Sequence, residues 1–248
     1  SDLGAESYRV TQVLDGAWRS VATSWSEVTT LGKPLQERLA NEIRFSAFDE
    51  VERQEADDGA TTKLLLTLSD GAKVEAVLMR SPADPRRGSG PRATVCVSSQ
   101  AGCAVGCPFC ATGELGFTRN LSAGEIQDQV RIARQILRTE DRELTNVVYM
   151  GMGEPLANYD NVVSAMKLML DDRAYGLSRR RVTLSTSGLV NAMDRLKEDC
   201  PVALAVSLHA SNDKLRDEIV PINKKFPIRE LMAGCQRYLE KAPRDFVT

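Results

Sequence analysis

The chain has 248 residues and a net charge of −2, and 42% of its residues are hydrophobic, as in ordinary globular proteins rather than disordered chains. Lys and Arg number 32 against 34 Asp and Glu, which excludes a polybasic coat for nucleic acid and leaves only local patches for RNA contact. The single histidine excludes multi-histidine zinc enzymes, and six cysteines are too few for a disulfide scaffold in so long a chain.

The first part of the chain, residues 1–80, is predicted to form a small accessory domain. Apolar residues recur at helical spacing in residues 10–21 and again in residues 35–43. Two strand-like runs, residues 63–68 and 73–79, flank the turn pair Asp70-Gly71 and predict a β-hairpin. Residues 81–92 are rich in Pro and Gly and are predicted to be a linker.

Residues 93–248 repeat a strand, loop and helix pattern four times, which predicts an α/β core with a parallel sheet or barrel. The predicted strands are rich in Val and Leu, as buried parallel strands are, and cover residues 93–98, 145–150, 181–186 and 202–208. A capping box at Ser122 and Glu125 opens the first helix. Residues 245–248 resemble the opening of a fifth strand. A parallel barrel that ends there is incomplete, so we expect the sequence to be a fragment.

The strongest chemical signal lies in the loop after the first of these strands. Three thiols are spaced C-x3-C-x2-C there: Cys103, Cys107 and Cys110. Three thiolates can hold three irons of a [4Fe–4S] cluster and leave the fourth iron open to the amino and carboxylate groups of S-adenosylmethionine. One electron from the cluster then cleaves the sulfonium bond and produces a 5′-deoxyadenosyl radical. The aromatic Phe109 between the second and third thiols fits this interpretation.

Two other interpretations of the thiols stay open. The trio, completed by Cys96 or His209, would make a structural zinc site. In the other interpretation, the three thiols are buried and chemically inert. The position of the trio on a β-to-α loop favours the cluster, because ligands of parallel α/β folds bind at the carboxyl ends of strands.

The other three strands also end in polar or glycine-rich motifs. Gly153 and Glu154 follow the second strand, where a glycine allows close approach of a ligand and the carboxylate can accept a bond from an ammonium group. Ser185 to Gly188 end the third strand, and Ser207, Leu208 and His209 end the fourth. Each motif alone has a structural explanation as a turn, a helix cap or a buried histidine. Together they predict a ligand site at one edge of the sheet.

Several other residues remain ambiguous from pattern alone. Two basic clusters, residues 179–181 and 224–225, are either solvated surface or phosphate contacts for an RNA. Cys200 and Cys235 are predicted to be core thiols. Cys96 would face either the core or the site. Glu75 is predicted to lie on the polar face of a half-buried strand.

Long stretches of the chain resemble the RlmN/Cfr family of radical-SAM adenine methyltransferases, which act on ribosomal and transfer RNA. The resemblance extends over residues 8–248 and is most specific in residues 94–103, the cysteine trio, and residues 146–155, 180–188, 207–210 and 217–225. The C8-methylating Cfr branch tends to have Ala and Ile where this chain has Pro155 and Ser187. The chain is therefore similar to the C2-methylating RlmN branch.

The resemblance implies a role for each motif residue. Cys103, Cys107 and Cys110 would ligate the cluster, and S-adenosylmethionine would be contacted by Gly153, Glu154, Ser185, Ser207, Leu208 and His209. Glu75 would be the proton acceptor, within an accessory domain that resembles a helix-hairpin-helix module and helps to hold RNA. Cys96 would be the resolving thiol that later forms a disulfide.

The implied reaction overcomes the poor reactivity of adenine C2, which is electron-poor and carries no acidic proton. In this family a cysteine near the C-terminus is methylated first, its methyl group is converted to a radical, and that radical adds to C2. The carrier cysteine should lie beyond Thr248, because neither Cys200 nor Cys235 occupies a matching motif. We therefore expect that this polypeptide as written cannot complete methyl transfer.

The implied partners are 23S rRNA, tRNA and a flavodoxin-like single-electron donor, in the reducing cytoplasm. No membrane partner is expected, because no apolar run approaches the roughly 18 residues of a membrane span and residues 1–10 lack the layout of a signal peptide. The alternatives are C8 methylation of rRNA, as in Cfr, and a zinc-stabilised nucleic-acid-binding module without catalysis.

Overall fold

The computed structural model describes residues 7–88 and 90–248. Its N-terminal part contains α1 (Ser7–Leu14), a π-helical turn (Asp15–Arg19), α2 (Lys33–Glu42) and three antiparallel strands, β1 (Phe48–Glu55), β2 (Thr61–Leu68) and β3 (Lys73–Ser81). Strands β2 and β3 are the predicted hairpin, which is confirmed. Strand β1 was not predicted, because only Phe48 of its eight residues is buried and the remainder is mostly charged.

The rest of the described chain alternates strands and helices as predicted. The four parallel strands are β4 (Arg92–Cys96), β7 (Asn146–Tyr149), β8 (Val182–Thr186) and β9 (Ala203–Val206). The predicted helices are α4 (Ala123–Thr139), α5 (Tyr159–Leu170), α6 (Val190–Asp199) and α8 (Ile228–Leu239). The unpredicted elements are short: β5 (Gln100–Gly102), α3 (Ala111–Glu114), β6 (Phe117–Asn120) and α7 (Asp213–Ile219). The capping box is present, since the backbone N–H of Glu125 donates to Ser122 Oγ at 3.2 Å.

Seven of the nine strands in the described residues form one mixed sheet in the order β1-β2-β3-β4-β7-β8-β9. Strands β1 to β4 pair antiparallel, and β4, β7, β8 and β9 pair parallel, as expected for part of a radical-SAM barrel. The predicted hairpin is joined to the parallel strands directly, because Val77 of β3 pairs with Cys96 of β4. The accessory part and the core therefore share one continuous sheet, although residues 81–92 separate them in the sequence.

No strand is assigned at residues 245–248, where the opening of a fifth strand was predicted, but Thr248 forms two backbone hydrogen bonds with β9. Thr248 donates its backbone N–H to the carbonyl of Leu204 at 3.1 Å, and its own carbonyl accepts from Val206 at 2.8 Å. These two bonds on either side of one residue are the pattern of a parallel ladder. Thr248 thus lies beside β9 at the edge of the sheet.

The two faces of this sheet differ in burial. The face that packs on the helices, called here the covered face, is apolar and completely buried at Leu64, Leu66, Val95, Val147 and Leu184. The opposite face, called here the open face, carries the alternate residues Leu65, Glu75, Val77, Cys96, Val148 and Thr183, all half-buried. Register places these residues on one side, since Val77 pairs with Cys96, Cys96 with Val148 and Val148 with Thr183.

Candidate functional site

A cavity of about 310 Å³ lies where the carboxyl ends of the parallel strands meet. Eight of the predicted site residues line it: Cys103, Cys107, Cys110, Gly153, Glu154, Ser185, Ser207 and His209. They come from the loops after β4 and β7 and from the ends of β8 and β9, so residues up to about one hundred positions apart form one wall. Leu208 does not line the cavity; its side chain is exposed.

The cysteine loop is held at its base by the short β5–β6 ribbon. The backbone N–H of Cys103 donates to the carbonyl of Gly116 at 2.8 Å. Gly102, with φ of +77°, lets these strands approach, because a Cβ there would lie 1.8 Å from the Gly116 oxygen. Helix α3 begins directly after Cys110, whose N–H donates to the carbonyl of Cys107 at 3.0 Å. The three thiols are therefore carried on a short, hydrogen-bonded loop.

The chemistry of the thiols fits a soft metal cluster. Burial raises the pKa of Cys103 and of Cys107, so both thiols are protonated at neutral pH and must lose protons when they bind metal. Within residues 7–88 and 90–248, no three His, Cys, Asp or Glu side chains stand close enough together to hold one metal ion. The three thiols line one cavity wall, and thiolates are the ligands that iron–sulfur clusters require.

Glu154 connects two of the strand-end loops. Its side chain is buried, its Oε1 accepts from the N–H of Leu156 at 3.0 Å, and its Oε2 accepts from both the N–H and the hydroxyl of Ser187 at 2.7 Å. Burial raises the pKa of this carboxyl in spite of these donors. A buried carboxylate of this kind favours a cationic ligand, such as an ammonium group, beside it.

Gly153 shapes the wall next to Glu154. Its φ is +95°, and a Cβ at this position would lie 2.5 Å from Cβ of Gln100. The Gln100 side chain in turn accepts the backbone N–H of Glu154 at 2.8 Å and donates to Asn120 at 2.8 Å. Only glycine fits this close packing, so the backbone that precedes Glu154 is set by the residue type at 153.

Glu75 and Cys96 lie outside the cavity lining, on the open face of the sheet. Glu75 is anchored through its backbone, since its N–H donates to the sulfur of Met152 at 3.4 Å and its carbonyl accepts from Ser98 Oγ at 2.5 Å. Its carboxylate forms an ion pair with Lys63 at 2.6 Å, with both side chains nearly half exposed. Burial raises the pKa of the Cys96 thiol. Both side chains thus project from one surface beside the strand ends.

The two basic clusters lie at opposite ends of the strands. Arg180 and Arg181 precede β8, at the end away from the cavity, where they donate to the carbonyl of Pro243 at 2.8 Å and to Asn146 Oδ1 at 3.2 Å. Lys224 and Lys225 are exposed and follow α7 at the cavity end. The lysine pair follows Asn223, which accepts a hydrogen bond from Arg216, so the pair lies nearer to the cavity loops than the arginines do.

The remaining thiols match their predicted environment. Cys200 and Cys235 are buried in the main core, as predicted. All six cysteines belong to the described residues, and all six are free thiols.

None of the helices in the described part of the chain combines the length and apolarity needed to cross a bilayer.

Sequence reasoning missed Arg216, the largest completely buried side chain among the described residues. It lies on α7, behind the ends of β8 and β9, and donates to backbone carbonyls of both loops. Charged residues of short helices usually face solvent, so the sequence contained no signal for this burial. Only its proximity to the matching stretch at residues 217–225 pointed to this region.

Comparison with known proteins agrees with this arrangement. Residues 97–244 match the family model described as the radical SAM superfamily. The chain is also similar to the crystal structure of a radical SAM methyltransferase from Sphaerobacter thermophilus, with 43% sequence identity and a TM-score of 0.91. That match covers 99% of this chain and 70% of the other. The matched residues include all the strand ends that line the cavity.

Proposed function

The chain belongs to the radical SAM superfamily, and on that premise we propose that it methylates C2 of adenosine in 23S rRNA and in the anticodon loop of tRNA. Membership implies a [4Fe–4S] cluster and S-adenosylmethionine as cofactors. The observation that carries the proposal is the meeting of three thiols and the buried Glu154 in one cavity, in a chain 43% identical to a methyltransferase.

Different residues of the cavity would bind the two cofactors. Cys103, Cys107 and Cys110 would hold the cluster, and Glu154 would accept from the ammonium group of S-adenosylmethionine. The lining groups at Gly153, Ser185, Ser207 and His209 would contact the rest of the nucleotide, whereas Leu208 lies outside the lining. When bound, cluster and nucleotide supply a carbon-centred radical that can activate an unreactive C–H bond.

The open face would supply the protein groups that act on the base. Glu75 would accept the C2 proton, and the ion pair with Lys63 at 2.6 Å would hold the carboxylate in a defined orientation. Cys96 would be the resolving thiol. Because burial raises its pKa, Cys96 is a neutral thiol in the resting protein and resists premature oxidation.

The RNA would reach this face from the cavity end of the sheet. Lys224 and Lys225 are exposed there and would contact phosphates, which position a nucleic acid without reading its sequence. A flavodoxin-like protein would supply single electrons, in the cytoplasm.

C8 methylation is the second candidate, and one contact favours C2. The family resemblance separates the branches at two positions, Pro155 and Ser187. The hydroxyl of Ser187 donates to Glu154 at 2.7 Å, and an isoleucine at this position would remove that donor. The buried carboxylate is therefore adapted to serine at 187.

Two measurements test the proposal. Protein reconstituted without oxygen should bind about four iron and four sulfide per chain, and S-adenosylmethionine should perturb the EPR signal of the reduced cluster. RNA from a strain lacking the gene should lose 2-methyladenosine, as measured by mass spectrometry, and regain it when the gene is restored. Loss of 8-methyladenosine instead would establish C8 chemistry, and one tightly held zinc would exclude both reactions.

A further inference from the structure

The completely buried side chain of Arg216 requires an explanation. A buried guanidinium destabilises a fold unless its N–H groups are hydrogen-bonded. Burial lowers the pKa of Arg216, although the nearby carboxylates of Asp213 and Asp217 favour its charged form. The nearby carboxylates of Asp213 and Asp217 accept from Asn223 Nδ2, at 2.9 and 2.7 Å.

The guanidinium of Arg216 binds the loops after β8 and β9 together. Nη2 donates to the carbonyl of Ser187 at 2.6 Å and to that of Ser207 at 3.2 Å. Nε donates to the carbonyl of Leu208 at 3.0 Å, and Nη1 donates to Asn223 Oδ1 at 2.7 Å. One planar group thus connects backbone positions twenty residues apart in sequence.

Both of these loops face the cavity on their other side. Ser187, whose carbonyl Arg216 holds, donates its N–H and hydroxyl to Glu154. Leu208, whose carbonyl Arg216 also holds, precedes His209, which has a φ of +58° that is uncommon for a non-glycine residue. The ring of His209 packs on Phe109 of the cysteine loop, with centroids 4.9 Å apart. The hydrogen bonds of Arg216 therefore hold the peptide that leads into a strained residue of the site.

We infer that Arg216 is a positioning residue that holds the loops after β8 and β9 in the conformation that binds S-adenosylmethionine. The inference rests on the proposed cofactor contacts and deepens them. Arg216 acts through Ser187 and Leu208 and does not itself line the cavity. Its planar guanidinium carries five N–H donors in fixed directions and can bind several carbonyls at once. The three donors of a lysine ammonium all radiate from a single nitrogen, so lysine cannot span the same carbonyls.

The test compares Arg216→Lys with Arg131→Lys in protein reconstituted without oxygen. Arg131 is the matched control, because it is also buried but pairs with Asp128 away from the cavity. We expect Arg216→Lys to weaken the Kd for S-adenosylmethionine about 10- to 100-fold, the usual cost of losing a group that orients a ligand shell. Arg131→Lys should lower the melting temperature and leave this Kd unchanged.

Hydrogen exchange of the protein without S-adenosylmethionine supplies an independent readout. The backbone N–H groups of residues 187–188 and 207–210 should exchange faster in Arg216→Lys than in wild type, while those of α5 should not change. Asn223→Ala, a milder variant that leaves Arg216 in place, should weaken the Kd only a few-fold. This second variant keeps the test decisive if Arg216→Lys folds poorly.

The outcomes separate the inference from the proposed function. If wild-type protein binds the nucleotide and Arg216→Lys binds it equally well, the positioning role is overturned and the proposed function stands. If Asn223→Ala and Arg131→Lys weaken binding equally, the effect is one of general stability and the inference is again wrong. If wild-type protein with a full cluster does not bind the nucleotide, the proposed function falls and the inference falls with it.

Discussion

Along each central strand of the sheet, neighbouring side chains enter two different environments. On β4, Val95 is completely buried under the helices, whereas Cys96, the next residue, lies half-buried on the open face. On β2 the same alternation separates Leu66 from Leu65. Because side chains alternate along a strand, one segment of chain supplies both stability and chemistry. Substitutions on the covered face should therefore unfold the protein, and those on the open face or at the strand ends should impair function.

The largest effect is expected at the strand ends. Cys107→Ala should abolish the cluster, because two thiols cannot hold three of its irons. Cys200→Ala is the matched control, since Cys200 is buried in the core and should cost stability alone. Iron and sulfide content after reconstitution measures the difference. A full cluster in the Cys107 variant would contradict the proposed ligand set.

On the open face, Glu75→Gln should lower methyl transfer to RNA by a factor of about 10² to 10⁴, the usual contribution of a positioned base. The variant should fold normally and bind S-adenosylmethionine as wild type does, because the carboxylate of Glu75 is nearly half exposed and lies outside the cavity. The measurement is the amount of 2-methyladenosine in RNA from a deletion strain that carries each variant of the gene.

Glu52→Gln is the control for this substitution, because Glu52 lies on the same face, where it pairs with Leu65 beside Glu75. It forms an exposed ion pair with Lys73 at 3.7 Å. Equal losses in the two variants would show that charge on this surface matters and that Glu75 has no special role.

On the covered face, Leu66→Ala should reduce the free energy of unfolding by about 2–5 kcal/mol, because it leaves a cavity in the packed core. Leu65→Ala, one residue away on the half-buried open face, should cost about 1 kcal/mol. Denaturant unfolding of both variants measures the difference. Equal costs would show that the open face is packed as tightly as the covered one.

The smallest effect concerns the pH dependence of Cys96. Burial raises its pKa, so at about pH 8.5, where an ordinary thiol is half ionised, Cys96 remains mostly protonated. Its contribution to stability is present below that pH and is lost as pH rises through the higher pKa of the folded protein. Alkylation followed by mass spectrometry should show Cys96 reacting more slowly than in the unfolded chain. Equal rates near neutral pH would show an unshifted thiol.

An element of the fold could be predicted when the residues that determine it are close together in the sequence. The hairpin around Asp70 and the helix after Ser122 were predicted because a turn pair and a capping box are encoded within four residues. The ribbon β5–β6 was missed because its strands are only three and four residues long and have no clear alternation. Strand β1 was missed because its sequence is polar, and its pairing with β2 comes from backbone bonds rather than apolar burial.

The chemistry proposed for the site was predicted from residue types alone, because the spacing of Cys103, Cys107 and Cys110 and the motifs at three further strand ends are local patterns. The position of Cys96 on the open face and the burial of Arg216 behind the site became evident only in the folded chain. Both outcomes depend on which distant segments pack together. Side-chain burial is a property of those contacts, and no single stretch of sequence contains them.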